Sequence, residues 1–234
     1  MSENKYIYVA GHSRSGNTWL LRLLSYALNA PIKRLASADQ DDIRWLRGGR
    51  GDWVVVKIKL HIDDAITAFG PNPIVAIIRD PRDVVVSRIY IREEVKGTDT
   101  EKLVHLIDEL HVSPSPDHHG GRGLNYIDTI HRWRRLDIPI IDFADLKNNG
   151  PSTLAYVIEQ MTGELISGED ARAAFDFVSF DRSKQTDPFF VRKGIVSDWK
   201  NHFTKPAGER ITSVMGEYMI EAGYIQDLDW WKEL

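Results

Sequence analysis

Apolar positions along the chain fall into two alternating kinds of run. Four are short and strand-like: Tyr6–Ala10, Trp53–Leu60, Pro73–Ile78 and Ile138–Phe143. Between them the apolar spacing is helical over Asn17–Leu28 (closed by Asn29 and Pro31), Pro81–Arg92, Glu101–Leu110 and Asn125–Leu136. Strands alternating with helices predict crossover units, and therefore an α/β fold with a central, mainly parallel sheet flanked by helices. Beyond residue 150 the pattern turns helical, over Ser152–Met161, Glu169–Phe177 and an amphipathic stretch, Gly208–Ala222. No internal repeat is present. The segment His111–Gly123 holds two prolines, three glycines and three histidines. It reads as a surface loop, either covering a substrate or simply connecting, and no carboxylate or cysteine spacing makes its histidines a metal site.

Composition narrows the class. A chain of 234 residues that is 42% hydrophobic and 27% charged suits one large domain, 1–234, with a sizeable core. Disorder, collagen and coiled coil are excluded. The net charge of −4 gives no reason to expect a nucleic-acid or anionic-membrane partner. Residues 1–50 nevertheless carry 8 Lys and Arg against 4 Asp and Glu, which fits a local anion site as well as a solvated basic face. The absence of cysteine excludes disulfides, thiolate zinc sites and cysteine nucleophiles. Tyr6–Ala10 is too short for a signal-peptide core, and no 18 apolar residues run together, so the expectation is a cytoplasmic protein.

Three segments carry chemistry. In the first, a strand runs into Gly11-His12-Ser13-Arg14-Ser15-Gly16-Asn17-Thr18 and then a helix. The Gly11 to Gly16 spacing followed by Thr18 is that of a Walker A phosphate loop whose lysine is replaced by Asn17. Glycines let the backbone curl so that its N–H groups converge, and the helix N-terminus adds a dipole that favours a phosphate. A tight strand-to-helix turn that binds nothing is the bland alternative. In the second, Asp80 caps a helix whose first residue is Pro81. Arg79 then ends a strand, where parallel sheets bind ligands, and Ser87 lies about two helical turns on. Arginine and hydroxyl together suit a second phosphate; the bland alternative is a capped helix with a surface arginine. In the third, Arg192, Lys193 and Gly194 pair two cations with an approachable backbone amide.

These segments, in this order, resemble the signatures of the soluble, cytosolic-type sulfotransferases, which use 3′-phosphoadenosine 5′-phosphosulfate (PAPS) and release 3′-phosphoadenosine 5′-phosphate (PAP). His12-Ser13-Arg14-Ser15-Gly16-Asn17-Thr18-Trp19-Leu20 resembles the family's 5′-phosphosulfate loop. Arg79 to Ser87 resembles its 3′-phosphate segment, and Arg192 to Thr204 the motif that closes over the cofactor. The resemblance implies a P-loop-containing three-layer fold and in-line sulfuryl transfer to a small-molecule hydroxyl or amine, without metal. It implies that Arg14, Ser15, Gly16, Asn17 and Thr18 hold the 5′ end. Trp19, Phe143, Ser179 and Phe180 would surround the adenine, and Arg79, Ser87, Arg192, Lys193 and Gly194 the 3′-phosphate. In the family a Lys-x-His segment ends the second strand; here Lys59-Leu60-His61 matches, which implies that His61 is the general base and that Lys59 and Arg14 stabilise the departing oxygen. Asp63, Asp64 and His202 are the alternative bases.

The chain departs from the family pattern in places. Arg14 replaces the loop lysine, Phe143 replaces a tyrosine, and Ser197 replaces a glycine. The dimer signature is matched at Lys200, Thr204 and Glu209 but broken by Lys205-Pro206, so a monomer or weak homodimer is expected. Two rival readings stay open. A P-loop kinase would place Mg²⁺ on Asp80 or Asp142, and a non-catalytic nucleotide-binding protein would bind without turnover. Neither a nucleic-acid nor a membrane partner is expected. The acceptor itself is not specified by residues 39–52 and 92–123, the candidate pocket walls.

Overall fold

The computed structural model describes residues 5–34, 52–58, 70–91, 96–112, 125–179 and 194–234. Strand β1 (Lys5–Gly11) has Ile7, Tyr8, Val9 and Ala10 completely buried, the unbroken apolar run of a strand covered on both faces. It is the middle of five parallel strands among the described residues. The others are β2 (Ile32–Arg34), β3 (Trp53–Lys57), β4 (Ile74–Ile78) and β5 (Ile140–Asp142), in the order β2-β3-β1-β4-β5. Gly11 is level with Ile77, and Ile78 with Asp142. After β1 the chain builds one side of the sheet and then crosses to the other, and that switch beside β1 is where such sheets take ligands.

Two compact units are present, one within Met1–Ile78 and Trp133–Gly194, the other within Arg79–Arg132 and Ile195–Leu234. The first contains the sheet and helices α1 (Asn17–Ala27), α5 (Phe143–Asn148), α6 (Gly150–Thr162) and α7 (Gly168–Phe177). The leucines of α1 at 20, 21, 23 and 24 are buried, and α1 packs along β1, β2 and β3. The second contains α2 (Pro81–Ile89), α3 (Asp99–Val112) and α8 (Lys205–Glu221), with short 3₁₀ turns at Asp198–Asn201 and Trp230–Glu233. Helix α4 (Tyr126–Arg135) is shared by the two. Helices α3 and α8 pack on each other; Leu103, Leu106 and Ile107 of α3 and Ile211 and Met215 of α8 are buried, and Arg210 and Asp108 pair at 2.6 Å.

Sequence and structure agree on the alternation, with three corrections. Strand β2 is absent from the apolar pattern, because three residues are too few to show alternation; pairing with β3 makes them a strand. The last strand ends at Asp142, not Phe143. Asp142 caps α5 by accepting the Ala144 N–H at 2.6 Å, so the apolar Phe143 belongs to the helix. His111 and Val112 belong to the last turn of α3 rather than to a loop; residues 113–124 lie outside the described residues. The expected Asp80 cap is present, accepting the Arg82 N–H at 2.9 Å with Pro81 in the first turn.

Candidate functional site

Beyond Gly11 the chain turns through residues 12–16 into α1. The Ser15 N–H donates to His12 O at 3.1 Å, and Arg14 (φ 73°) and Gly16 (φ 105°) are both left-handed. Left-handed residues in a turn aim successive N–H groups the same way, which forms a concave nest for an anion. In the first turn of α1 the Trp19 N–H donates to Gly16 O at 2.9 Å, and the N–H groups ahead of it carry the positive end of the helix dipole. Gly16 is required twice over. Its φ favours glycine, and a Cβ there would lie 2.7 Å from Phe143 Cδ2 and 3.1 Å from Ile77 Cδ1. A Cβ on Gly11 would collide with the Asn17 side chain and approach Ile77 O to 2.9 Å.

The side chains of the loop divide the work. Asn17, at the Walker lysine position, turns back instead, and its Nδ2 donates to Gly11 O at 2.7 Å and His12 O at 3.3 Å. It braces the loop against the end of β1. The Ser15 hydroxyl is fully buried and has no partner among the described residues. Leaving such a group unsatisfied costs about 1–3 kcal/mol, so its position suits an acceptor brought by a ligand. Thr18 accepts a hydrogen bond from Lys57 Nζ at 3.2 Å. Lys57, the last residue of β3, was not a sequence candidate; its period-two spacing from Lys59 is the signal that was available. Half-exposed Trp19 stands between Phe143 and Phe175, each ring centroid 5.6 Å away, with Lys147 Nζ 5.7 Å from its ring. Phe143 is buried, and Ser179 follows the end of α7 half-buried.

The second unit holds a separate polar cluster. Arg79 is buried. Its backbone N–H donates to the Tyr126 hydroxyl at 3.4 Å, and that hydroxyl donates to the Arg79 carbonyl. Its guanidinium donates to Ile195 O at 2.9 Å and lies 3.5 Å from Asp83 Oδ2. Asp83 in turn accepts the N–H groups of Ser197 (2.9 Å) and Trp199 (3.0 Å). Burial pushes the Asp83 carboxyl above the usual carboxylate range, and the Arg79 charge opposes that shift. Ser197 adopts φ 63°, so the serine keeps the left-handed path that glycine would take. Gly194 is left-handed too, at φ 58°. Ser87 is buried on α2.

Arg82 has a different task. It chelates Asp80, donates to Tyr224 O at 2.7 Å, and lies 3.8 Å and 4.6 Å from the ring centroids of Trp199 and Trp230. His202 Nε2 lies 3.4 Å from Asp198 Oδ2. Asp83 and Tyr126 act on residues 47 to 116 positions away, for which no local pattern exists. Lys59, His61, Asp63, Asp64, Phe180, Arg192 and Lys193 lie outside the described residues.

Among the described residues no helix is long and apolar enough to cross a membrane. Comparison with known proteins gives a consistent picture. The 3-alpha-hydroxysteroid sulfotransferase of Cavia porcellus is 22% identical over 254 aligned positions, covering 95% of this chain and 85% of that protein. Mouse sulfotransferase SULT7A1, solved complexed with PAP, superimposes with a TM-score of 0.69 at 18% identity, over 100% of this chain and 88% of that one. Retinol dehydratase, solved with androsterone and inactive cofactor PAP, superimposes at 0.60 and 14% identity, over 92% and 80%. The family described as "Sulfotransferase domain" matches residues 70–223, a span that includes Arg79, Asp83, Ser87 and the turn at 194–199; on that match the chain belongs to the sulfotransferase family.

Proposed function

We propose that this chain, acting as one sulfotransferase domain, transfers the sulfuryl group of PAPS to a hydroxyl or amine of a small-molecule acceptor. The observation that carries this reading is the buried, unpartnered Ser15 hydroxyl inside a left-handed loop at the head of α1. Gly11 and Gly16 leave a cradle that a Cβ would fill, and Trp19 offers a half-exposed ring for a purine, so the residues present fit the nucleotide. Solved relatives bind PAP, and one of them binds androsterone as well.

When bound, PAPS supplies a sulfuryl group activated by its anhydride bond to phosphate. Ser15, Gly16, Asn17 and Thr18 would hold its 5′ end, and Trp19, Phe143, Ser179 and Phe180 its adenine. Arg79, Ser87, Arg192, Lys193 and Gly194 would hold its 3′-phosphate. Arg14 and Lys59 offer positive charge to an oxygen that becomes anionic. His61 takes the acceptor's proton as a neutral imidazole. A chain without cysteine needs no oxidising compartment, and the cytoplasm is the proposed setting.

The deciding experiment is thermal unfolding with PAP and no divalent metal. At 100 times its Kd, PAP should stabilise the fold by about 2.7 kcal/mol. Equal stabilisation by AMP, which lacks the 3′-phosphate, or strict Mg²⁺ dependence would overturn the reading and favour a kinase. Acceptors are then screened with PAPS by mass spectrometry for a gain of one sulfuryl group. His61→Ala should still bind PAP and lose roughly 10²–10⁴ in turnover; activity within about tenfold of wild type would remove His61 from the mechanism.

A further inference from the structure

The Walker-type loop places Asn17 where a cation would ordinarily stand, and the Asn17 amide is directed back to Gly11 O and His12 O. A cation nevertheless reaches the loop, from a different element. Lys57 ends β3, level with Val9 of β1, and its Nζ lies 3.2 Å from Thr18 Oγ1. An ammonium is a donor only, whereas a hydroxyl has one proton and two lone pairs. The Lys57–Thr18 bond therefore runs from lysine to threonine, and the Thr18 proton must be donated elsewhere. Among the described residues no acceptor for it is found. Thr18 thus joins Ser15 as a hydroxyl of this loop without an acceptor for its proton.

We propose that Lys57 is a positioning residue for the 5′-phosphate of the donor nucleotide: through Thr18 it turns a hydroxyl donor toward the anion, and it supplies the charge that position 17 lacks. The inference rests on the proposed PAPS-dependent activity and deepens it. A donor hydroxyl polarised by a neighbouring ammonium is a stronger donor than one hydrated by water. The gain applies wherever an oxyanion sits, in substrate and product alike. Lys57 therefore acts on nucleotide affinity more than on turnover.

The test compares two ligands by calorimetry: PAP, and adenosine 3′-phosphate, which lacks the 5′-phosphate. Lys57→Met should weaken PAP roughly 10- to 100-fold, the scale of one charge-assisted hydrogen bond, and leave adenosine 3′-phosphate within about twofold. Lys57→Arg should recover most of the PAP affinity. Thr18→Val should give the same selective loss, and the Lys57→Met, Thr18→Val double variant should lose less than the product of the two, because one residue acts through the other. Equal weakening of both ligands by Lys57→Met and by Thr18→Val would show a merely structural role and overturn the inference. So would unchanged PAP binding in variants of a wild type that binds PAP. A wild type that binds neither ligand overturns the proposed function itself.

Discussion

The loop at 11–18 and the Arg79–Asp83–Ser197 cluster are both built around polar groups beside a left-handed, non-glycine residue, and they are assembled in opposite ways. The loop is contiguous. Strand, turn, glycine and helix follow one another, and its backbone shape is held by a bond six positions long, from Asn17 to Gly11. Its hydroxyls at 15 and 18 are left available. The cluster is discontinuous. Asp83 grips backbone N–H groups 114 and 116 positions away, and Arg79 donates to a carbonyl 116 positions away. Its cation already faces a carboxylate of its own chain. A contiguous loop can leave donors open because the helix end holds its shape, whereas a discontinuous cluster must use charge to hold itself together. Arg14 (φ 73°) and Ser197 (φ 63°) show the same division: the first has a chemical task in the proposed reaction, the second only a conformational one.

The largest expected effect concerns what holds the second unit. Arg82 is buried, chelates Asp80 and packs its guanidinium against the edge-to-face pair of Trp199 and Trp230. Arg82→Ala leaves Asp80 unpaired and removes the cation from both rings, so urea unfolding should show a loss of about 3–5 kcal/mol. A loss below about 1 kcal/mol would mean that discontinuous clusters here do not depend on their internal charge.

A smaller effect separates the two left-handed residues. Glycine removes a Cβ strain of about 1–2 kcal/mol at such a φ, offset by roughly 0.5–1 kcal/mol of extra chain entropy in the unfolded state. Ser197→Gly should therefore gain about 0.5–1 kcal/mol in a thermal melt with PAP affinity unchanged. Arg14→Gly relieves the same strain yet should lower turnover by about tenfold or more, since it removes charge beside the reacting group. Matching kinetic effects in the two variants would erase the distinction drawn between the regions.

The smallest effect is in pH. Burial raises the Asp83 carboxyl from 3.8 against the opposing Arg79 charge. Above 3.8 the folded chain keeps a proton that the unfolded chain has released, so this group's contribution to stability falls as pH rises through the raised folded value. Asp83→Asn does not titrate. The stability difference, wild type minus variant, should therefore decrease in urea melts as pH rises from 3.8 through the raised folded value. A difference that grows over that range would show that the Arg79 charge outweighs burial at Asp83.

What the amino-acid order determined by itself is everything written in neighbouring residues. Apolar runs of different period separate β1, β3 and β4 from α1, α3 and α8. The Asp80-Pro81 pair starts α2, and Gly11 and Gly16 define the loop, because caps and left-handed turns are chosen within a few residues. Local pattern failed where pairing or one capping bond decides. Ile32–Arg34 is a strand only through β3, and Phe143 left the strand because Asp142 caps the next helix. Tertiary structure alone decided that Asn17 braces the loop, that Lys57 reaches Thr18, that Tyr126 holds the Arg79 backbone, and that Arg82 closes onto Tyr224, 142 positions away. The Asn17 brace spans only six positions, yet sequence gives no direction to an amide side chain. The other three contacts join residues far apart in the chain, so their energy appears only when the folded chain brings both partners together, and neither partner leaves a trace in the other's local sequence.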